Sequence, residues 1–237
     1  MIRSLFRAIA RAVPTGTKVL ILRGPLAGSS WYSGAAAGEG KGLATCFNLS
    51  EPQQLKRADE LSKGANICFD IGANVGLYSV LFAKNAMRVF AFEPVPRNLA
   101  WLQRVIGANR LTNVTIIPAA VSSRLEIASF HQGQNCAIGK LSDTGDMPVL
   151  CVSVDAIVDK IGAVPDLLKI DVEGAELTVL HGAERTLKKH APKILLSTHG
   201  PAMKIACLEY LRSLGYRRIE SVDSLQYDIS YEFCISP

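Results

Sequence analysis

Short apolar runs alternate with helix-like segments from about residue 51 onward, and this alternation constrains the fold more than any other feature. The strand-like runs include NICFD, MRVFAFE, NVTIIPAAV, DLLKID and KILLST. Strands that alternate with helices form parallel βαβ units with right-handed crossovers. The sequence therefore predicts an α/β fold with a doubly wound, mostly parallel sheet. Two more strands, YRRIESV and LQYDISYEFCIS, are predicted near the C-terminus.

Residues 1–50 are predicted to form an appendage that packs on a core domain of residues 51–237. Within MIRSLFRAIARAV, apolar residues fall on one helical face and arginines on another. The following segment KVLILRGPLAGSSWYSG has the pattern of two short extended pieces joined by a Gly/Pro turn. Two interpretations of residues 1–13 stay open: contact with an anionic membrane surface, and packing on the domain or on a second copy.

The net charge of +5 does not indicate a nucleic-acid partner. Residues 1–38 contain five basic residues and no acidic one, and they account for the whole excess. A nucleic-acid surface needs clustered Lys and Arg on the folded core, which is neutral here. The six cysteines form no CxxC pair, and no secretory signal is apparent. We therefore expect a cytoplasmic protein, membrane-peripheral if residues 1–13 bind lipid.

A glycine turn follows the first strand of the core, in FDIGANVGLYS. The strand ends at Asp70, and Gly72 and Gly76 allow the backbone to turn tightly and to approach a ligand. Ligands of doubly wound sheets bind outside the carboxyl ends of the strands. The helix that begins after Asn74 directs free N–H groups toward the same place. The sequence therefore predicts a ligand site at this turn.

The acidic residues around the turn favour S-adenosylmethionine over a dinucleotide. Glu93 ends the next strand, 23 positions after Asp70, where a carboxylate can accept hydrogen bonds from ribose hydroxyls. Asp70 precedes the turn, so that it would repel a pyrophosphate but can pair with an ammonium group. The segment DIGANVG also lacks the G-x-G-x-x-G pattern of nicotinamide enzymes.

Five blocks in this order resemble the FkbM-type family of S-adenosylmethionine-dependent methyltransferases. They are FDIGANVGLYS, AFEPVPRN, PAAVSS, LLKIDVEGAELTVLHGAERTL and ILLSTHG, and the resemblance extends from about Leu20 to Tyr216. It implies an O-methyltransferase that acts on hydroxyls of sugars, glycans or secondary metabolites. It also implies the seven-stranded, Rossmann-like sheet of class I methyltransferases, with a C-terminal antiparallel hairpin strand.

The resemblance implies a role for individual residues of this chain. Asp70, Gly72, Asn74 and Gly76 would hold the methionine end of the cofactor, and Glu93 the ribose hydroxyls. Ala120 and Val121, which follow the third strand, would lie near the adenine. Asp171 ends the fourth strand and would lie near the transferable methyl group.

Three residues are candidates for catalysis: Asp171, Glu173 and His199. An alcohol is a weak nucleophile, so the enzyme must position it and help to remove its proton. The pKa of histidine suits this task near neutral pH, so we expect His199 to be the base and Asp171 to position the donor or the acceptor. The alternative for Asp171 and Glu173 is capping of the following helix, and for His199 it is a hydrogen bond to the backbone in the turn before Pro201. Asp171 and Glu173 could also be two oxygen ligands of a metal, but the sequence places no third ligand, and no metal site is predicted.

The segment FHQGQNCAIGKL, Phe130–Leu141, is a candidate acceptor-binding loop with His131, Asn135 and Lys140 as polar members. The alternative is an ordinary surface hairpin. This segment and the N-terminal one are expected to shape the acceptor pocket. Two other functions remain to be compared with O-methylation: methylation of nucleic acid, and cofactor binding by a non-catalytic subunit.

Overall fold

The structure of this protein is a computed structural model that describes residues 12–36, 42–132, 139–141, 145, 147–222 and 230–237. The helix predicted for residues 1–13, and with it any membrane contact or self-association, lies outside the described residues except at Ala12 and Val13. The described strands are β1 (Lys18–Leu20), β2 (Ser30–Tyr32), β3 (Ile67–Ile71), β4 (Arg88–Phe92), β5 (Val114–Ile117), β6 (Ala120–Val121), β7 (Glu126–Gln132), β8 (Gly139–Leu141), β9 (Met147–Val152), β10 (Leu167–Ile170), β11 (Lys193–Ser197), β12 (Arg218–Ser221) and β13 (Glu232–Ser236).

Helices follow most strands of the core, as the alternation predicts. The described α-helices are α1 (Pro52–Ser62), α2 (Leu77–Asn85), α3 (Pro96–Ala108), α4 (Val154–Ile161), α5 (Glu176–His181), α6 (Glu184–His190) and α7 (Pro201–Ser213), and a 3₁₀ helix spans Leu43–Phe47. A break at Gly182 separates α5 from α6. A Cβ at Gly182 would lie 2.1 Å from the Ser122 carbonyl oxygen, so only glycine fits this crossing.

The main sheet has seven strands in the order β12-β13-β11-β10-β3-β4-β5. Strands β3, β4, β5, β10 and β11 are parallel, and β13 runs antiparallel to both of its neighbours. This order confirms the predicted doubly wound sheet and its C-terminal antiparallel hairpin strand. The direction of strand addition reverses between β3 and β10, and a ligand site is expected at such a switch point.

Apolar side chains cover both faces of the main sheet. On β3, Cys68 packs into the cluster beneath α1, α2 and α3, whereas Phe69 and Ile71 pack into the cluster beneath α5, α6 and α7. All three side chains are fully buried. Parallel strands buried on both faces appear in a sequence as continuous apolar runs, which is why NICFD was recognised as a strand.

A second, four-stranded sheet in the order β6-β9-β7-β8 was not predicted from the sequence. The run NVTIIPAAV, expected to be one strand, divides at Pro118 into β5 of the main sheet and β6 of the second. Proline has no N–H to donate to a ladder, so the chain changes sheet there. The candidate acceptor loop forms the antiparallel hairpin β7–β8, and residues 133–138, including Asn135, lie outside the described residues.

The N-terminal hairpin β1–β2 packs directly on the core. Trp31, which is 1% exposed, belongs to the same apolar cluster as Leu55 of α1 and Leu102 of α3. The Ser30 N–H donates to Asn109 Oδ1 at 2.7 Å, and Asn109 Nδ2 donates to the Ser30 carbonyl at 2.9 Å. The appendage is thus fixed to the end of α3. The domain division at residue 50 stays a prediction.

No helix among the described residues is long and apolar enough to cross a membrane.

Candidate active site

A cavity of about 310 Å³ lies at the carboxyl ends of β3, β4 and β10. One wall comes from the sheet and its turns, with Gly72, Ala73, Asn74, Glu93, Lys169, Asp171 and Glu173. The lining also includes Trp31, Ala36, Thr45 and Ser50 from the N-terminal segment, together with Glu51, Tyr78 and Phe130. From the sequence, the N-terminal segment is expected to shape the acceptor pocket; in the structure its residues line this cavity, and the sequence did not identify which of them do so.

The glycine turn is packed against the neighbouring strand ends without spare room. Gly72 has a φ of 76°, and a Cβ there would lie 1.9 Å from the Asp171 carbonyl oxygen. The N–H groups of Gly72 and Ala73 both donate to the Phe92 carbonyl, at 3.1 and 2.9 Å. Gly76 has a φ of 96°, and its Cβ would meet Leu102 Cδ1 at 2.6 Å. Glycine is therefore required at both positions that the sequence singled out.

We expect Gly72→Ala to disrupt the cavity, because the added Cβ meets backbone that cannot move without displacing β10. Gly64→Ala is the matched control: Gly64 also has a left-handed φ, of 73°, but nothing lies within 4 Å of its Cβ position. The control should therefore show only the backbone strain of about 1–2 kcal/mol. Thermal unfolding of both variants checks this, and equal Tm values would contradict the packing described for Gly72.

Glu93 connects the glycine turn to the end of β4. Its Oε2 accepts the Asn74 N–H at 2.9 Å, and its Oε1 accepts the Val95 N–H at 2.9 Å and Asn98 Nδ2 at 3.2 Å. Burial raises the pKa of this carboxyl despite these hydrogen bonds. Glu93 also lines the cavity, and a carboxylate oxygen has capacity for more than one donor. Its predicted contact with ribose hydroxyls is compatible with this geometry and stays a prediction.

Ala120 and Val121 lie on an apolar side of the same cavity. They form β6, are nearly fully buried, and line the cavity beside Ala119 and Phe92. Apolar side chains of this kind suit the face of a purine ring. Their predicted place near the adenine is consistent with the structure.

Asp70 lies behind the cavity wall, which differs from its predicted direct contact with an ammonium group. Its side chain is fully buried and is not among the residues that line the cavity. Ser79 Oγ donates to Asp70 Oδ2 at 2.6 Å, and Lys169 Nζ lies 3.5 Å from Oδ1. The physical reason is that strands β3 and β10 are paired with Asp70 opposite Lys169. Burial raises the pKa of Asp70, although Lys169 acts in the opposite direction.

Lys169 is a site residue that the sequence analysis missed. Its Nζ donates to the Gly72 carbonyl at 2.9 Å and lies 3.5 Å from Asp171 Oδ2 and 5.0 Å from the Tyr78 ring centroid. Burial would lower the pKa of this ammonium, but the surrounding carboxylates, Asp171 foremost, outweigh it and raise the pKa. A lysine inside the buried strand LLKID was the available signal, because buried lysines are rare unless they are paired.

Asp171, Glu173 and His199 meet at the mouth of the cavity, and we call these three residues the acid–histidine cluster. His199 Nε2 lies 3.8 Å from Asp171 Oδ1 and 3.4 Å from Glu173 Oε2. The three side chains are between 34 and 40% exposed, so a ligand can reach them. The structure thus brings together all three residues that the sequence named as catalytic candidates.

Glu176 supports His199 from behind and was also missed. It is the first residue of α5, is fully buried, and its Oε1 lies 2.7 Å from His199 Nδ1. The same oxygen accepts the Gly174 N–H at 2.9 Å. The hydrogen bond to Glu176, with further attraction from Glu173 and Asp171, raises the pKa of His199 to about 9 despite partial burial. In the sequence, Glu176 looked like an ordinary acid of a first helical turn.

An open recess of about 450 Å³ continues from the acid–histidine cluster. It is lined by Glu51, Asp171, Glu173, Ser197, Thr198, His199, Gly200, Tyr231 and Glu232. Glu51, Asp171 and Glu173 line the first cavity as well, so the cluster stands where the two spaces meet. From the predicted acceptor loop, Phe130 lines the first cavity, whereas His131 is exposed and lines neither space. The side chain of Lys140 lies outside the described residues.

Comparisons with solved structures support the fold. The crystal structure of the FkbM methyltransferase from Methylobacillus flagellatus has a TM-score of 0.54 at 18% identity, and the match covers 86% of this chain and 56% of that one. A Streptococcus mutans structure in complex with SAH (S-adenosylhomocysteine) has a TM-score of 0.50 at 14% identity, with coverages of 76 and 94%. These likenesses confirm the class I methyltransferase fold, and at such identities they show the fold alone.

Comparisons at the level of sequence show the family. Hexuronic acid methyltransferase AglP of Haloferax volcanii is 33% identical over 129 residues, which are 52% of this chain and 52% of the relative. This chain thus spans about half the length of the curated relative that it matches. The model of the methyltransferase FkbM domain matches residues 70–218, which is more than half of the chain and includes the glycine turn, Glu93 and the acid–histidine cluster. The chain belongs to the FkbM methyltransferase domain family.

Proposed function

We propose that this protein is an S-adenosylmethionine-dependent O-methyltransferase whose acceptor is a sugar or glycan hydroxyl. The observation that carries the proposal is the meeting of two spaces at one cluster. The first cavity contains the glycine turn, the buried Glu93 and apolar side chains. It opens into the polar recess at the acid–histidine cluster. This arrangement provides a donor side and an acceptor side with ionisable groups between them.

The cofactor assignment is supported by the shape and charge of the first cavity. Glu93, Asn74, Ala120 and Val121 all line this cavity. Glu93 would hold the ribose hydroxyls, the Asn74 turn the methionine end, and Ala120 and Val121 the adenine. Asp171 and Glu173, which line the same cavity, would face the sulfonium. A cationic sulfonium is stabilised by nearby carboxylates, which is the charge complementarity expected for this cofactor. Asp70 would act indirectly, by holding Lys169 in place.

The proposed reaction is an in-line displacement. The acceptor oxygen forms a bond to the methyl carbon while the carbon–sulfur bond breaks, and its electron pair stays on sulfur to give S-adenosylhomocysteine. The hydroxyl proton leaves toward the acid–histidine cluster. Positioning and proton removal are the two contributions that the protein must make, since an alcohol attacks poorly on its own.

The acceptor class is supported by the recess and by one relative. The recess offers Glu51, Asp171, Glu173 and Glu232 as acceptors of hydrogen bonds from a hydroxyl-rich ligand. The curated relative is named as a hexuronic acid methyltransferase, which makes uronic-acid glycosides the first acceptors to examine. Nucleic acid is disfavoured, because the basic excess lies in residues 1–38 and the neutral core offers no cluster of Lys and Arg for a phosphate backbone.

A methyl-transfer screen tests the proposal. Purified protein is incubated with isotope-labelled S-adenosylmethionine and separate panels of neutral sugars, uronic-acid glycosides and nucleic acids, and the products are analysed by mass spectrometry. We expect an ether-linked methyl group on a sugar. Labelling of nucleic acid alone would contradict the acceptor class, and cofactor binding without transfer to any panel would support the non-catalytic alternative.

A further inference from the structure

We propose that the acid–histidine cluster binds a divalent cation, with Asp171, Glu173 and His199 as its protein ligands. The inference rests on the proposed function and deepens it, because the cation would hold the acceptor hydroxyl next to the methyl donor. The sequence indicates two possible metal ligands, Asp171 and Glu173, and the structure adds His199 as a third ligand with a fixed position.

The spacing of the ligand atoms fits one coordination sphere. One ligand atom from each of Asp171, Glu173 and His199 lies within 4.8 Å of the other two. Around a cation with metal–ligand distances of roughly 2.1 Å, neighbouring ligands are about 3 Å apart and opposite ones about 4.2 Å apart. The distances of 3.4 and 3.8 Å from His199 Nε2 fall between these values. The half-exposed carboxylates need only a small movement to complete the sphere.

The same distances are too long for direct hydrogen bonds. Hydrogen bonds from nitrogen to oxygen are typically about 2.7–3.2 Å long. Nε2 therefore faces two carboxylate oxygens across a gap that a hydrogen bond does not span. An ion placed among the three atoms would remove the repulsion between the two carboxylates and complete the interactions of all three groups.

Glu176 provides a second, independent indication of a ligand. Histidines that bind metals usually donate their other ring N–H to a carboxylate, which fixes the tautomer and the ring orientation. Glu176 Oε1 stands at 2.7 Å from His199 Nδ1 in that role, and the other ring nitrogen, Nε2, faces Asp171 and Glu173. Glu176 is fully buried, and its Oε2 has no hydrogen-bond partner within the described part of the chain. A buried carboxylate of this kind favours an additional positive charge nearby.

The charges around the cluster also call for a cation. Glu51, Asp171, Glu173 and Glu176 bring four carboxylates to this region. Among the described residues, Lys169 forms an ion pair with Asp171 and is shared with Asp70, whereas His199 is neutral when it binds a metal. A divalent cation would offset the excess of negative charge.

The donor set indicates which ions to try. Carboxylate oxygens suit Mg²⁺ and Mn²⁺, and one imidazole nitrogen shifts the preference toward Mn²⁺ and other transition metals. Three protein ligands leave coordination positions open for a hydroxyl, whose pKa a bound cation lowers. His199 would then act as a ligand and not as the proton acceptor that the sequence suggested.

The test is a titration of the full chain with Mn²⁺ after a chelator has removed any bound metal. Neither cofactor nor acceptor is present, and electron paramagnetic resonance measures the concentration of Mn²⁺ that stays free. We expect about one bound ion per chain, lost in Asp171→Asn and in His199→Gln. Glu176→Gln should weaken binding by roughly 10- to 100-fold. Glu60→Gln, which changes an acid paired with Arg57 on the surface, is the matched control and should bind like wild type. Circular dichroism confirms that each variant is folded.

The outcomes separate this inference from the proposed function. Absence of Mn²⁺ binding by wild type, or unchanged binding in folded Asp171→Asn, overturns the metal site. Methyl transfer that proceeds equally well in chelator also overturns it, and it leaves the proposed function intact with His199 as a metal-free base. Mn²⁺ binding with no methyl transfer to any acceptor supports the metal site and contradicts the proposed function.

Discussion

His199→Ala is expected to reduce the methyl-transfer turnover number by roughly 10²- to 10⁴-fold, the usual contribution of a group that handles a proton in catalysis. The imidazole is held by Glu176 at 2.7 Å and faces Asp171 and Glu173, so its removal takes away the centre of the acid–histidine cluster. The binding of S-adenosylhomocysteine should be retained, because His199 lines the recess and not the first cavity.

Steady-state kinetics with the acceptor identified by the screen checks this expectation. His190→Ala is the matched control, since His190 is an exposed residue at the end of α6 that lines neither space. The control should behave like wild type. A His199→Ala turnover within about threefold of wild type would remove His199 from the mechanism, whether as a base or as a metal ligand.

Lys169→Met is expected to lower the free energy of unfolding by about 3–5 kcal/mol, the usual effect of breaking a buried ion pair by removing one partner. Asp70 is fully buried, and Lys169 is the cation beside it. Methionine fills most of the volume but leaves the Asp70 carboxylate without its counter-charge. For a chain of this size the Tm should fall by roughly 6–20 °C, which calorimetry measures.

The double variant Asp70→Asn, Lys169→Met distinguishes this cause from simple loss of packing. Replacing both partners of a buried pair is often nearly neutral, since no fully buried charge is left uncompensated; Asp171, which also loses Lys169, is 34% exposed to solvent. The double variant should therefore unfold at a higher temperature than Lys169→Met alone. If the two substitutions instead add in their destabilising effects, the ion pair is not the interaction that Lys169 contributes.

Much of the fold could be predicted from the sequence because parallel strands buried on both faces leave continuous apolar runs. NICFD and KILLST are such runs, and the alternation with helices then limits the topology to a doubly wound sheet. The second sheet could not be predicted in this way. Its strands β7 and β9 are only half covered, and the exposed Ile127 and Leu150 obscure the alternation that identifies such strands. The change of sheet at Pro118 has a local signal in the sequence: proline has no backbone N–H to donate, which disfavours one continuous strand through this position.

The site could be predicted where local pattern and topology determine position. Gly72 and Gly76 are fixed by backbone conformation, and Glu93 by the end of β4, so the local pattern identifies all three residues. The sequence correctly predicts Asp70 at the end of a strand, but it also predicts a direct contact between Asp70 and the cofactor. The pairing of Asp70 with Lys169 depends on the register of β3 against β10. The sequence of one strand alone does not show which residue of the neighbouring strand lies opposite each of its residues. Glu176 was missed for the same reason, since its partner His199 lies 23 positions away.

The most direct test of the cofactor site, on which the whole account depends, is calorimetric titration of the purified chain with S-adenosylhomocysteine, repeated for Glu93→Ala. We expect saturable binding by wild type and an affinity lower by roughly tenfold to 150-fold in the variant, the effect of losing a hydrogen bond to a charged group. Glu126→Ala, a change of a surface acid that pairs with Arg124, is the control and should bind like wild type. Absence of binding by folded wild type, or equal affinity in Glu93→Ala, would contradict the assignment of this cavity to the cofactor.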